Sequence, residues 1–328
     1  MTSGSMQRIV CLAALAIAFS SPHVALADNP KQTELPGDRA YPESVTAAAD
    51  GTLYVSSFAS GGVFRIKPGA AQAETWIAPG AFDTRSTFGV LADDKRGLLW
   101  VCSNDLSALG VPGPGSVPGS RIVGFDLASG EGKISLPFEG TGNICNDMAM
   151  GADGSLFVTN SAKPQILRWK PGAKQLEVFV ESTNFNQPTE KGSAGLDGIA
   201  FGTDGNLYLN TYSNGEFFRV DVKDGAAGNV TKLTTSRALK LPDGLRPAGA
   251  RAFIMAEGAG TLDRVTINGD NVEIETFKEG LAGPTSVALV GDTVWAPEGQ
   301  LSHLFDTKAG PPQLPFRVIG VPAPRSGS

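Results

Sequence analysis

Short apolar runs separated by Asp-Gly dipeptides recur along the chain. Three segments have almost the same pattern, an apolar run, a turn and a second apolar run, and their turns are Asp50-Gly51, Asp153-Gly154 and Asp204-Gly205. Asp-Gly between two alternating runs predicts a β-hairpin, because glycine adopts a positive φ without steric cost. Fainter copies of the pattern begin near residues 88, 243 and 285.

A third and a fourth predicted strand follow each clear hairpin. The units start near residues 43, 88, 146, 197, 243 and 285. This spacing is typical of four-stranded propeller blades, and the longest interval contains a Gly/Pro-rich loop at residues 110–119. The pattern therefore predicts an all-β fold, a six-bladed β-propeller with four-stranded antiparallel blades over residues 42–321. Residues 315–321 are predicted to be its last strand, and how the ring closes stays open.

The first 27 residues have the pattern of a secretory signal peptide. Arg8 precedes an apolar run at residues 9–19, and Ala25-Leu26-Ala27 provides a small-residue cleavage site. The run is too short to cross a bilayer at about 1.5 Å per residue. The alternative to a signal peptide is a buried N-terminal helix. We expect a periplasmic or secreted protein without membrane contact after cleavage, with a polar N-terminal tail at 28–41 and a C-terminal tail at 322–328.

The composition argues against a helical bundle, a disordered chain and a nucleic-acid-binding protein. The 328 residues include 41 Gly and 22 Pro, too many for a helical bundle, while 41% hydrophobic residues are too many for a disordered chain. The net charge is −6 and no basic stripe is present, which argues against nucleic-acid binding. A small-molecule substrate is the expected partner.

Cysteine and histidine are scarce. Cys102 and Cys145 remain after signal cleavage, and in an oxidising compartment we expect them to form a disulfide, with two buried free thiols as the alternative. His303, in the predicted third strand of the last unit, is the single histidine left. Its isolation argues against a Cys/His metal site and a Ser-His-Asp triad.

Polar residues begin the first strand of most units. Because the first strands of a propeller line its central channel, their first residues meet at one mouth. These residues are Glu43, Gly89, Asn146, Asp197, Asp243 and Ser286. Three carboxylates would repel one another there, and no Lys or Arg has the equivalent register. A hard cation, Ca²⁺ or else Mg²⁺ or Mn²⁺, would neutralise these carboxylates. Each residue also has an alternative role without a metal. Asp197 and Asp243 would be turn residues, Glu43 would be an exposed loop carboxylate, and Asn146 would form a hydrogen bond at the start of its strand.

Four motifs resemble the mouth of gluconolactonase/regucalcin-like propellers. They are Pro42-Glu43, Asn146-Asp147, Asp197-Gly198-Ile-Ala-Phe and Leu241-Pro242-Asp243-Gly244-Leu245, spread over the whole predicted mature chain. The resemblance implies a sugar-lactone hydrolase whose metal is held by Glu43, Asp197 and Asp243, with Asn146 facing metal or substrate. Asp197 replaces the family's Asn, and Ile144 replaces a frequent Arg, which argues against the usual sugar-acid substrate.

These residue types suggest a mechanism. The cation would polarise a lactone carbonyl, and Asp243 would act as general base on the attacking water. The ends of the second strands are expected to shape a polar substrate pocket and include Asn104, Asn160, Tyr212, Glu257 and Glu298. Two other functions stay open: a non-catalytic propeller that binds a small ligand or a protein, and phosphotriester hydrolysis with Asp243 or Asp197 as nucleophile.

Overall fold

The computed structural model describes residues 1–2, 31–185 and 193–324. The predicted signal peptide lies almost entirely outside the described residues, as do the last four residues of the predicted C-terminal tail. Across the described ranges, the search for a helix of the length and apolarity needed to cross a bilayer finds none.

Twenty-four strands make up about half of the described chain, and turns and loops make up most of the rest. Most strands are short, and their boundaries follow the alternation of apolar runs and turns. In chain order they are β1 (Lys31–Glu34), β2 (Pro42–Ala47), β3 (Leu53–Ser57), β4 (Val63–Ile66), β5 (Glu74–Ile77), β6 (Ser86–Asp93), β7 (Leu98–Asn104), β8 (Ser120–Asp126), β9 (Gly132–Pro137), β10 (Cys145–Met150), β11 (Leu156–Asn160), β12 (Gln165–Trp169), β13 (Glu177–Glu181), β14 (Leu196–Phe201), β15 (Leu207–Thr211), β16 (Glu216–Lys223), β17 (Ala226–Thr235), β18 (Pro242–Pro247), β19 (Ala252–Glu257), β20 (Thr261–Asn268), β21 (Asn271–Lys278), β22 (Ala288–Val290), β23 (Thr293–Pro297) and β24 (Arg317–Pro322).

Four consecutive strands pair antiparallel in each of the first five units, as the sequence predicts. β2–β5, β6–β9 and β10–β13 are separate four-stranded sheets. β14–β17 and β18–β21 have the same antiparallel order, but two parallel residue pairs between β17 and β21 join them into one sheet of eight strands. The last sheet has the order β1-β24-β23-β22.

The last sheet joins the two ends of the described chain. β1 pairs antiparallel with β24, from Lys31 opposite Gly320 to Glu34 opposite Arg317. Residues 31–34 were expected to belong to a polar tail, and the structure corrects this: they form an outer strand. Their polarity is that of an edge strand, in which only Thr33 is buried and its neighbours face solvent.

Within residues 31–185 and 193–324, helical structure is confined to short connections. Helix α1 (Ser302–Phe305) is one turn long, and 3₁₀ turns occupy Ala81–Asp83, Ser107–Leu109 and Thr307–Ala309. His303 therefore lies on α1 and not on a strand as predicted, because residues 301–309 form a helical connection between β23 and β24. Its Nδ1 lies 3.0 Å from the Gly310 carbonyl oxygen.

The first strands of successive units pack side by side. β2, β6, β10, β14 and β18 contact one another in chain order, and β2 also contacts β22. Large aromatic side chains fill the space between neighbouring four-stranded units. The rings of Trp100 on β7 and Trp169 on β12 are 4.9 Å apart. Those of Tyr208 on β15 and Phe253 on β19 are 5.2 Å apart. This packing holds the starts of the first strands close together.

Candidate functional site

A β-bulge interrupts the first strand of five units just after it begins. The register shifts between Pro42 and Val45, and the same shift occurs in β6, β10, β14 and β18. Four of these bulges contain a predicted site residue: Glu43, Asn146, Asp197 and Asp243. A bulge leaves residues out of the ladder and redirects their side chains, and all four residues are 3–6% exposed.

Neighbouring bulges touch through their backbones. A Cβ atom added to Gly198 would lie 2.2 Å from the Asp243 carbonyl oxygen, closer than real Cβ contacts come. A residue with a side chain at position 198 would force the two strands apart. Glycine at this position therefore sets the separation of Asp197 and Asp243.

Hydrogen bonds connect three of the four residues. Asn146 Nδ2 donates to Asp197 Oδ2 at 3.1 Å and to Ser161 Oγ at 2.8 Å. The carboxyl groups of Asp197 and Asp243 are close enough to share a proton in a hydrogen bond when one of them is protonated, and Asp243 Oδ1 accepts the Gly244 N–H at 2.9 Å. Two buried carboxylate oxygens, Glu43 Oε2 and Asp197 Oδ1, have no hydrogen-bond partner among the described residues.

The three carboxyl groups hold protons more tightly than ordinary acids. Burial, followed by the charge of Asp147, raises the pKa of Asp197 to about 7. Burial and the nearby Asp197 raise the pKa of Glu43 well above its usual range, and burial together with Asp197 and Glu43 does the same to the pKa of Asp243. Desolvation and like charges both favour the neutral acid. Without a cation these three carboxyl groups therefore tend to keep their protons, and a bound cation would displace those protons.

An arginine beside the bulges was missed by the sequence analysis. Arg246 on β18 donates to both carboxylate oxygens of Asp147, from Nη1 at 2.6 Å and from Nη2 at 2.9 Å, and its guanidinium charge lowers the pKa of Glu43. No Lys or Arg has the register of the four bulge residues, but Arg246, three residues after Asp243, brings a positive charge to the acidic cluster. The available signal was a basic residue inside the first strand of the fifth unit, Pro242–Pro247.

The chemistry of the side chains fits a hard divalent cation, while their present arrangement is a hydrogen-bonded one. Carboxylate and amide oxygens are the donors that Ca²⁺ and Mg²⁺ prefer, and the unpartnered oxygens of Glu43 and Asp197 point to a missing positive group. Within residues 31–185 and 193–324, however, no group of three or more His, Cys, Asp or Glu side chains is arranged to hold a metal. Asp197 and Asp243 would have to exchange their mutual hydrogen bond for the ion.

A cavity of about 610 Å³ opens over these residues. Its polar lining includes Glu43, Asn146, Ser161, Asp197, Tyr212 and Asp243. Burial and the charge of Asp243 raise the pKa of Tyr212, so its hydroxyl remains a hydrogen-bond donor near neutral pH. Tyr212 is also the one predicted substrate-binding residue at a second-strand end that lines this cavity.

The other predicted substrate-binding residues bind backbone instead. Asn104 accepts from Cys145 N and donates to Cys145 O, and Asn160 accepts from Ile144 N. The carboxylates of Glu257 and Glu298 accept from the backbone N–H groups of Lys240 and Ala282, respectively. Their assignment to the pocket is corrected: they hold the segments that lead into the first strands.

In four units, the residue after the second strand lines the cavity: Phe58, Ser161, Tyr212 and Gly258. Successive side chains of a strand point to opposite sides, so in the third unit Asn160 binds backbone while the next residue, Ser161, lines the cavity.

A disulfide joins two units beside the site. Cys102 on β7 and Cys145 on β10 are bonded, with their Cα atoms 5.3 Å apart. Cys145 immediately precedes Asn146. The predicted pairing is present, and it fixes the start of β10 to the neighbouring sheet.

Comparisons with known proteins agree on the fold. No protein-family model and no curated protein sequence matches the chain. Among solved structures, a gluconolactonase from Xanthomonas campestris is 16% identical with a TM-score of 0.64, over 92% of this chain and 93% of its own. The fold is that of the gluconolactonase-like propellers.

Two further structures show how widely the fold is used. A luciferin-regenerating enzyme is 14% identical with a TM-score of 0.67, over 90% of this chain and 96% of its own. The major allergen Mala s 1 of Malassezia sympodialis is 16% identical with a TM-score of 0.65, over 89% of this chain and 96% of its own. At these identities the likeness establishes the architecture, and the activity has to be argued from the site.

Proposed function

We propose that the protein is a metal-dependent hydrolase that opens a small lactone. The observation that carries the proposal is the cluster of buried carboxyl groups, Glu43, Asp197 and Asp243, at the base of a cavity of about 610 Å³. Two of their oxygens have no partner among the described residues. Burying unpaired charge is costly, so such a cluster indicates a bound cation during function.

Glu43, Asp197 and Asp243 would supply the carboxylate ligands and Asn146 an amide oxygen. Both hydrogens of the Asn146 amide are already donated, to Asp197 and Ser161, which leaves its oxygen as the group available to a ligand. When bound, Ca²⁺, or else Mg²⁺ or Mn²⁺, would polarise the lactone carbonyl and neutralise the negative charge that develops on its oxygen.

Asp243 would be the general base. Its Oδ1 accepts the Gly244 N–H, which fixes the orientation of the carboxylate and leaves Oδ2 to take a proton from the attacking water. Water adds to the carbonyl carbon as its proton passes to Asp243, the ring C–O bond breaks, and Asp243 returns the proton to the ring oxygen to give a hydroxy acid. The acid releases its carboxyl proton to solvent near neutral pH, and the carboxylates of the site favour release of the resulting anion.

Two further parts of the proposal concern the molecule as a whole. We interpret the strand order as six blades, in which β14–β17 and β18–β21 are two blades joined at their outer edges and β1 completes the last one. We also propose that the protein works outside the cytoplasm after removal of residues 1–27. The Cys102–Cys145 disulfide supports this location, since disulfides persist in oxidising compartments.

Hydrolysis of a lactone panel tests the activity. Purified protein is treated with a chelator and assayed by acid release before and after Ca²⁺, Mg²⁺ or Mn²⁺ is restored. We expect turnover that is lost on chelation and recovered with at least one of these ions. Absence of metal-dependent turnover for every lactone in the panel would overturn the proposal.

The second candidate is a non-catalytic propeller that binds a small ligand. A proton shared between Asp197 and Asp243 favours it, because that proton offsets part of their mutual repulsion without a metal. This function predicts ligand-dependent thermal stabilisation that survives Asp243→Asn, without any turnover.

A further inference from the structure

The cavity has an apolar side that the carboxylate chemistry does not use. Six of its lining residues define what we call the apolar wall: Phe58, Phe88, Leu106, Leu109, Leu301 and Phe305. They come from the strand ends of the first two units, from the 3₁₀ turn Ser107–Leu109 and its preceding residue, and from helix α1 and the residue before it. Most of the polar residues, Asn146, Ser161, Asp197, Tyr212 and Asp243, come from the third, fourth and fifth units, and Glu43 comes from the first. The apolar wall is therefore concentrated on one side of the cavity, next to the carboxylates.

Aromatic contacts make the wall continuous. The rings of Phe58 and Phe88 are 4.7 Å apart, and Phe305 packs edge-on against Phe58 at 5.5 Å. Phe58, Phe88 and Leu106 are buried in the largest core cluster, which fixes the deeper part of the wall. A rigid apolar surface of this kind is a preformed binding site for an apolar group.

The outer part of the wall remains open to solvent. Phe305 is 49% exposed and Leu109 is 42% exposed, and Leu241, across the same cavity, is 39% exposed. Large apolar side chains that cluster at a cavity mouth lose contact with water when an apolar ligand covers them, and that loss favours binding. Their position next to the carboxylates calls for a ligand with a polar end and an apolar body.

The charge and polarity of the cavity lining argue against two other ligand classes, anionic and polyhydroxylated substrates. No Lys, Arg or His is among the described residues that line the cavity, while Glu43, Asp197 and Asp243 are acidic. An anionic substrate would meet no basic side chain among these lining residues, and three carboxylates around one divalent ion would still leave a net negative charge. A polyhydroxylated substrate would place hydroxyl groups against the apolar wall without hydrogen bonds, which costs binding free energy.

We propose that the substrate is a neutral lactone that carries an alkyl or aryl group, with its carbonyl at the carboxylates and its apolar group against the wall. This inference rests on the lactonase activity proposed above. It replaces the expectation, drawn from the strand-end residues, of a polar pocket for a hydroxylated ligand.

A series of γ-lactones with one ring and increasing alkyl chain length tests the substrate class. We expect kcat/KM to rise about fourfold for each added methylene until the wall is covered, and glucono-δ-lactone to be poorer than the alkyl-substituted lactones. If chain length has no effect, or if glucono-δ-lactone is preferred, the inference is wrong while the proposed lactonase activity stands.

Wall variants locate the effect. Phe305→Ser and Leu109→Ser should lower kcat/KM for γ-nonalactone by about tenfold and leave that for γ-butyrolactone nearly unchanged. Phe82→Ser is the matched control, because Phe82 is a 44% exposed phenylalanine outside the cavity. A uniform loss for both lactones, or an equal loss in the control, would contradict the wall as the origin of selectivity.

A binding measurement separates this inference from the catalytic proposal. The neutral fluorophore N-phenyl-1-naphthylamine is titrated into the chelated full-length protein, and γ-nonalactone and glucono-δ-lactone are added as competitors. We expect saturable binding that γ-nonalactone displaces, glucono-δ-lactone does not, and Phe305→Ser weakens. This result, together with no hydrolysis of any lactone after metal is restored, would support the apolar site and remove the lactonase. Failure of γ-nonalactone to compete would overturn the site.

Discussion

Asp197-Gly198 and Asp204-Gly205 lie at opposite ends of one hairpin, yet their carboxyl groups are shifted in opposite directions. Asp204 is in the turn, and although burial opposes it, hydrogen bonds from Tyr208 and Asn206 hold its pKa below the usual value. Asp197 is in the bulge of β14, where burial and Asp147 raise its pKa to about 7. The same dipeptide is therefore a structural turn at one end of the hairpin and, at the other, the position of a buried carboxyl group with a raised pKa.

The two glycines also differ in what they are needed for. Gly205 has φ +80° and open space around it, so it is required for its backbone conformation. Gly198 lacks a positive φ and is required because the Asp243 carbonyl lies where its Cβ would be. Sequence shows the dipeptide in both places, but the reason for each glycine depends on what packs against it.

The largest expected difference between the two ends concerns catalysis. Asp243→Asn removes the proposed base and should lower kcat for lactone hydrolysis by about 10²–10⁴-fold. Asp153→Asn, in the turn of another unit, keeps an acceptor for the Ser155 N–H at 2.9 Å and should leave kcat within about twofold. Steady-state kinetics with restored metal measures both, and equal losses would contradict the distinction.

Charge compensation is the next difference. Turn aspartates are stabilised by local hydrogen bonds, whereas Asp147 depends on Arg246, far away in the sequence. Arg246→Leu leaves a buried carboxylate without its partner and should lower the free energy of unfolding by about 3–5 kcal/mol. Chemical denaturation measures this change.

Arg168→Leu provides the control for the arginine. Arg168 pairs with Glu177, whose side chain is about half exposed, so its loss should cost about 1 kcal/mol or less through the ion pair. A similarly small change in the Arg246 variant would mean that Asp147 does not need its arginine.

Much of the fold is predictable because it depends on local pattern. Hairpins centred on Asp50, Asp153 and Asp204 are present where Asp-Gly predicts them, and in each the aspartate accepts a backbone N–H two residues later. The pairing of β1 with β24 is not predictable in this way, since it joins residues at opposite ends of the chain. Four polar residues show no periodicity that would identify an edge strand.

The site is predictable only where the repeat reaches it. Glu43, Asn146, Asp197 and Asp243 share one register position, and the structure brings them to one cavity. Arg246 lies three residues after Asp243, and the bulge changes the strand's alternation just before it, so simple register reasoning misses its role. Phe305 and Leu109 are on helical connections outside the repeat, where only tertiary structure shows what they face.

The two glycines provide a smaller contrast. Gly198→Ala places a methyl group against backbone, and we expect a loss of about 1–3 kcal/mol in the free energy of unfolding together with at least about a tenfold loss of kcat, because Asp197 and Asp243 move apart. Gly205→Ala should cost about 1–2 kcal/mol through its positive φ and leave kcat unchanged. Unchanged activity in Gly198→Ala would show that bulge contact does not position the carboxyl groups.

The smallest effect is on how stability depends on pH. Because the folded-state pKa of Asp197 is raised from 3.8 to about 7, its contribution is fully present below the unfolded value and is lost as pH rises through 7. Asp204 has a lowered pKa, so its contribution is present above the unfolded value and is lost as pH falls through the folded one. In chelator, the wild-type Tm should therefore fall from pH 5 to pH 8.

Matched variants divide that fall between the two ends of the hairpin. Asp197→Asn should flatten the Tm profile between pH 5 and 8, because the variant side chain does not titrate, while Asp204→Asn should leave the slope of this interval unchanged and lower Tm at all of these pH values. Added Ca²⁺ should reverse the wild-type slope, since an ion held by carboxylates favours their ionised form. If wild type and Asp197→Asn had parallel profiles of Tm against pH, the carboxyl group of Asp197 would be ionised even without a cation. The contrast between Asp197 in the bulge and Asp204 in the turn would then depend on geometry alone.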